Sequence, residues 1–242
     1  MIVANVFVTI KIVLDRMDAM TTRTPISRRE RPAKPALSRE AIVQAALLVL
    51  ERDGADKLTI RRVADELDTG PASLYVYVKN VTVLHALLVD GLLANLDLAW
   101  EDEEPWRERL HRVVEDYINL LTAHGNLARS AMFVWPDGPH YLSLIDLLLR
   151  LLRSGGVADK PAAWGIDLLL QHASVTAAEW AARASGTGQE VGELAAALAS
   201  ADPQRQQTLA TFPTAAFTQG TPEERHRWAL DVLLDGITHR RP

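Results

Sequence analysis

Residues 58–80 read LTIRRVADELDTGPASLYVYVKN, and the fold of the chain turns on how this stretch divides. Thr59 is a capping type, and Ile60, Val63, Ala64 and Leu67 follow it at helical spacing, with Arg61, Arg62, Asp65 and Glu66 left outside. Asp68 is one of the few non-glycine types that tolerate the left-handed backbone of a tight turn. Gly70 then bends the chain. Pro71 suits the first turn of a further helix, where its missing N–H would have no partner. Leu74 and Val78 give this short helix its inward face, while Ala72, Ser73, Tyr75, Val76 and Tyr77 spread over the rest and Lys79 ends it. The exposed face carries no acid.

Two helices across a four-residue turn fit a helix-turn-helix. Its second helix lies in the major groove, where short side chains let the backbone approach, tyrosine hydroxyls and lysine reach phosphates, and methyl groups touch thymine. They also fit a helical hairpin within a bundle, with tyrosines at its rim. The surroundings favour the first reading. Upstream, LSREAIVQAALLVLERDG (residues 37–54) sets Ile42, Ala45, Ala46, Val49 and Leu50 on one face, with Ser38 as N-cap and Gly54 as stop.

Charge is unevenly distributed. The net charge is -5, yet residues 1–62 carry 12 Lys and Arg against 7 Asp and Glu, and residues 63–242 carry 14 against 24. A nucleic-acid-facing module ahead of a neutralising second domain would look like this, as would a basic tail with no partner. The 242 residues, 48% hydrophobic and 24% charged, suffice for a substantial core and one or two domains. With no cysteine, disulfides, thiolate zinc sites and cysteine nucleophiles are excluded together, and a reducing cytoplasm is permitted.

The opening MIVANVFVTIKIVL (residues 1–14) imitates a targeting segment but lacks a basic start, is interrupted by Lys11 and has no small-residue cleavage site. A start assigned too early, an extra docked element and a signal stay open, with Met17 and Met20 as alternative starts. Residues 21–35, TTRTPISRRERPAKP, read as an unstructured basic arm, so residues 1–37 are expected to be extension and arm.

With AIVQAALLVLERDG before it, the quoted stretch resembles the N-terminal DNA-binding domain of the TetR family of transcriptional repressors, over about residues 38–84. The shared pattern is the alanine-rich first helix ending at Gly54, LTIRRVADEL as positioning helix, and SLYVYVKN followed by Leu84. The resemblance implies DNA contacts at Thr59, Arg61, Ala72, Ser73, Tyr75, Tyr77 and Lys79. Tyr75 and Lys79 match phosphate contacts; Ala72, Ser73 and Tyr77 are better placed for bases. Asp68 stands where many members have Gly, Tyr77 where His is common, and NVTVL replaces the usual charged opening of the fourth helix. The last departure is expected to weaken the start of that helix.

Residues 85–242 read as a larger helical domain. VTVLHALLVDGLLANLDLAW (residues 81–100) is expected to be one long helix, followed by helices over residues 106–123, 141–153, 161–183 and 221–241, the last capped by Thr221. No HExxH motif or ordered nucleophile motif occurs, so no catalytic residue, metal or cofactor is assigned and the chain is not expected to be an enzyme. His111 and Glu115, one turn apart, read as a solvated pair.

Residues 124–135, including His124 and Trp135, together with Trp106, Tyr117, Tyr141, Trp164, Gln171, His172 and Thr176, mix aromatic walls with a few polar groups, as a small-molecule pocket does and as an ordinary core also can. Trp180, Trp228, Leu230, Leu233, Leu234 and Ile237 give two helices more apolar surface than a lone subunit hides readily. The resemblance implies that these helices pair with a second copy. It also places Ala131 where tetracycline-binding members chelate through His, which points to an apolar or aromatic ligand instead. The expectation is an all-α repressor. It would bind a palindromic operator in double-stranded DNA as a homodimer in the cytoplasm, apart from any membrane, and be released by a small-molecule effector. An activating or ligand-independent regulator and a helical protein-interaction module are the alternatives.

Overall fold

The computed structural model describes residues 37–54, 57–101, 104–132, 135–186 and 191–239. The expectations for residues 1–36 and for Val134 lie outside them. From Ser38 onward the chain forms one compact unit, and every regular element among the described residues is helical.

The first three helices follow the expected punctuation. Helix α1 (Arg39–Asp53) starts at Ser38, whose Oγ accepts the Ala41 N–H at 3.1 Å, and stops at Gly54. Helix α2 (Ile60–Glu66) starts at Thr59, whose Oγ1 accepts the Arg62 N–H at 3.1 Å. The turn passes through Asp68 at φ 49°, in the left-handed region. Helix α3 is short, Pro71–Leu74, but bonds from the Tyr77 and Val78 amides to the Leu74 carbonyl carry its coil onward. Ile60, Val63, Ala64, Leu74 and Val78 are buried with the α1 face named above; Leu67 is half-buried. Arg52 reaches Glu66 at 2.8 Å and Arg62 reaches Asp53 at 2.7 Å, tying α1 to α2.

Helix α4 (Val81–Leu93) does not lack a good start: Asn80 Oδ1 accepts the Val83 N–H at 2.9 Å. Its far end corrects the sequence reading, because the helix stops at Leu93 instead of continuing to Trp100. The cause lies further along the chain. Arg109 is fully buried, and its guanidinium donates to the backbone carbonyls of Ala99, at 2.9 Å, and Asp97, holding residues 97–99 out of helical pairing. The Asp97 carboxylate accepts the Ala99 N–H at 3.0 Å within the same turn.

The body consists of α5 (Trp106–Thr122), α6 (Asn126–Ala131), α7 (Pro139–Ser154), α8 (Asp159–Ala184), α9 (Val191–Ala199), α10 (Gln207–Thr211), a 3₁₀ turn (Thr214–Phe217) and α11 (Pro222–His239). Helix α8 is central. Helices α5, α6, α7 and α11 all pack on it, and α4 packs on α1, α5, α6 and α7. The approach of α11 depends on Gly165, where a Cβ would come within 3.0 Å of Ile237. Thr221 caps α11 as expected: its Oγ1 accepts the Glu224 N–H at 3.2 Å, and Glu224 reaches back to the Thr221 N–H at 2.8 Å.

Candidate functional site

The residues expected to meet DNA share the surface formed by the start of α2, helix α3 and the turn after it. Thr59, Arg61, Ala72, Ser73, Tyr75 and Lys79 are exposed, and Tyr77 is half-buried. Arg62 is held by Asp53, whereas Arg61 has no ion-pair partner among the described residues. Hydrogen bonds from Arg52 and then Arg62 hold the Asp53 carboxyl down to about 2, so this acid stays ionised and neutralised beside the face. Val76, 80% exposed between the two tyrosines, adds methyl groups to the same surface. Its neighbours gave no signal that it would stand so far out.

In the body the expected pocket residues divide between two recesses on opposite flanks of α8. Tyr117, Trp135, Tyr141 and Gln171 line a cleft of about 30 Å³ with Val89 and Ser174. Tyr117 and Ser174 share a buried hydrogen bond of 3.2 Å, and burial pushes the Tyr117 phenol up to about 12. Gln171 is turned to Asp167, at 2.8 Å. His172 and Thr176 instead line a cavity of about 640 Å³. There His172 Nε2 meets His226 Nδ1 at 3.2 Å, the two rings nearly parallel, with Trp180 edge-on to His226. Burial, followed by the neighbouring His172 and His111, pushes His226 down to about 4.

Three residues of the expected set line neither recess. Trp106 packs against Gly155, His124 is half-buried beyond the end of α5, and Trp164 is exposed with Lys160 Nζ 4.6 Å from its ring. His111 corrects the reading of a solvated pair with Glu115. It is buried, with Nε2 3.0 Å from Asp231, because α11 crosses α5 there; Glu115 faces Arg227 at 3.7 Å.

Asp90 is the functional candidate that the sequence did not suggest. It is a nearly buried carboxylate on α4 whose Oδ1 accepts the Tyr141 N–H at 2.8 Å, so α4 supplies the cap of α7. Gly138 makes room for it: a Cβ there would lie 2.1 Å from Asp90 Cγ. An Asp inside an apolar helix facing a Gly-Pro helix start was the available signal, but nothing in sequence joins two points 51 residues apart.

Of the residues expected to pair with a second copy, Leu230, Leu234 and Ile237 are buried within the chain, Leu233 and Trp180 are half-buried, and Trp228 is 70% exposed. Exposed apolar side chains elsewhere on the two helices are Trp164, Leu168 and Val175 on α8 and Val232 on α11.

Residues 100–241 match the family model for the tetracyclin repressor-like C-terminal domain. The chain belongs to the TetR family of transcriptional regulators. A Streptomyces coelicolor protein described as a transcription regulator, SCO7704, is 44% identical to this TetR-family chain, covers 86% of it and 98% of its own length, and superposes with a TM-score of 0.75. ActR of Streptomyces coelicolor, crystallised in complex with actinorhodin, is 31% identical over 84% of the chain and 97% of ActR, with a TM-score of 0.73. The chain spans about half the length of two curated relatives. It matches 52% of an HTH-type transcriptional regulator of Saccharopolyspora erythraea, 28% identical over 51% of the chain, and 49% of the repressor DrrR1 of Streptomyces coeruleorubidus, 29% identical over 54%. No helix among the described residues of this TetR-family member is long and apolar enough to cross a membrane.

Proposed function

We infer that the chain is a ligand-responsive repressor: residues 38–84 bind a palindromic operator, residues 85–242 bind effector and pair two copies, and a small apolar or aromatic molecule releases the DNA. The observation that carries this reading is the link from cleft to head. The ring of Tyr141 lines the cleft, its backbone amide is capped by Asp90, and Asp90 belongs to the helix that packs on α1. A ligand that enlarges the cleft must displace Tyr141 and the end of α7, and Asp90 passes that movement to α4. Two recognition helices bound to successive major grooves must stand ~34 Å apart, so a modest shift of α4 spoils the fit.

Ligand can release DNA only in proportion to its preference for the DNA-incompetent form; a hundredfold loss of operator affinity requires about 2.7 kcal/mol of differential binding. Pairing is supported by the exposed apolar side chains of α8 and α11, and ligand release by the complex of ActR with actinorhodin. Action in the cytoplasm accords with a DNA target.

The test begins with selection of bound duplexes from a random pool, and the best duplex then serves to screen small aromatic and apolar compounds for release. A palindromic half-site repeat, a dimeric complex and at least one releasing compound are expected. Asp90→Ala and Trp135→Ala should hold the operator within a few-fold of the parent but need far more compound for release. Salt-independent binding without sequence preference would overturn the repressor reading. Binding that no compound weakens would favour the ligand-independent regulator.

A further inference from the structure

The two recesses beside α8 differ in size and chemistry, and the cleft linked to α4 is the smaller. A volume of about 30 Å³ holds little more than a water, whereas about 640 Å³ lies within the span of small-molecule sites. The large cavity is enclosed by α8, α9, the 3₁₀ turn and α11, none of which touches α4 by any substantial contact. We propose that this cavity is a second small-molecule site, taking an uncharged, flat aromatic compound that carries hydroxyl or carbonyl oxygens.

Its walls select the ring. Trp180 and Phe217 present aromatic surface, and Leu194 and Ala197 close the side formed by α9. The charges at its edge select against an ion. Arg183 is paired with Glu179 at 2.6 Å, Arg225 donates to the Phe217 carbonyl at 2.9 Å, and Glu193 balances Arg225 in number, so an ionic ligand meets no net opposite charge.

The polar floor selects the oxygens. Burial holds His172 and His226 below their ordinary range, so both are neutral at pH 7, and a neutral imidazole has one donor and one acceptor. Their mutual bond uses one nitrogen of each ring. The remaining nitrogen of His226 is buried with no hydrogen-bond partner, and that of His172 lies on a half-buried ring beside Thr176. A ligand oxygen that donates and accepts is the complement of such a floor.

The full chain titrated by calorimetry with 2-naphthol, naphthalene and naphthalene-2-carboxylate tests this. The phenol should bind about tenfold or more tighter than the carboxylate of the same ring size, because only the carboxylate brings an unpaired charge into the cavity. Ala197→Trp fills the cavity from an exposed position and should remove binding without a cost in folding. His172→Phe should bring 2-naphthol down to the affinity of naphthalene. Absence of binding, equal affinity for phenol and carboxylate, or a phenol displaced by Ala131→Trp in the other cleft and not by Ala197→Trp would each overturn the proposal. A change of oligomer size in Ala197→Trp would also overturn it, by showing that a second copy covers this wall.

Discussion

The head, α1 to α3, and the body that follows are held to shape in different ways. In the head each helix boundary is imposed by a residue beside it: Ser38, Thr59, Asp68 and Pro71 all act within three or four positions of themselves. In the body the decisive contacts cross the chain. Arg109 fixes residues 97–99, Asp90 caps α7, and His111 meets Asp231 at a separation of 120 residues. Damage to the head should therefore stay local, whereas damage to the body should spread, because each buried polar group there completes another element.

The strongest challenge to that contrast is Arg109→Leu. Removing a buried guanidinium that satisfies two carbonyls should cost about 3 kcal/mol or more, read as a lower urea midpoint. A loss under about 1 kcal/mol would show that the break after α4 does not need its clamp.

On the DNA face the expected effects are smaller and separable. Tyr77→Ala should cost roughly 1–3 kcal/mol mainly at one base pair of each half-site, while Lys79→Ala weakens all sequences alike and lowers the salt slope by about one. A uniform loss for Tyr77→Ala, measured on single-base operator variants, would mean that the residue positions and does not read. Smaller again is Ser38→Ala, which should cost about 1 kcal/mol by removing the cap of α1. Hydrogen exchange should show the loss confined to α1 to α3; exchange rising equally through α8 would erase the distinction between the two regions.

Acid should separate the regions by the pH at which each responds. His226 titrates at about 4 in the fold against an ordinary 6.5, so between these values the unfolded chain takes up a proton that the fold refuses, and stability falls as pH drops through that window. Asp53 gives its contribution above its usual 3.8 and loses it only as pH falls towards 2. Thermal melts from pH 7 to 4.5 should thus fall less steeply in His226→Gln than in the parent. Equal slopes would show that the imidazole is not held neutral.

Those same contrasts explain what the sequence revealed. The head was legible down to individual caps and the left-handed Asp68, because its rules act on neighbours. The helical content of the body was legible from spacing, and so was Thr221. The end of α4 was not, since residues 81–100 contain no stop signal and the constraint comes from Arg109. The ligand-binding candidates were less legible still. Tyr117, Gln171, His172 and Thr176 are close in sequence or in pattern, yet Gln171 and His172 point to different recesses, a difference of one position on a helix that turns about 100° per residue. Asp90 was missed because its partner is a backbone amide, which no side-chain pattern records.

The place of Asp90 within α4 also sets a mechanical scale. It is nine residues beyond Val81, so at about 1.5 Å per residue the arm from this anchor to the start of the helix is about 13 Å. A tilt of about 10° about that point would swing the start of the helix by about 2 Å, and in a pair of copies turned oppositely the separation of the two heads would change by about 4 Å. Against a groove spacing of ~34 Å, that is more than a hydrogen bond's tolerance, reached without unfolding a single turn.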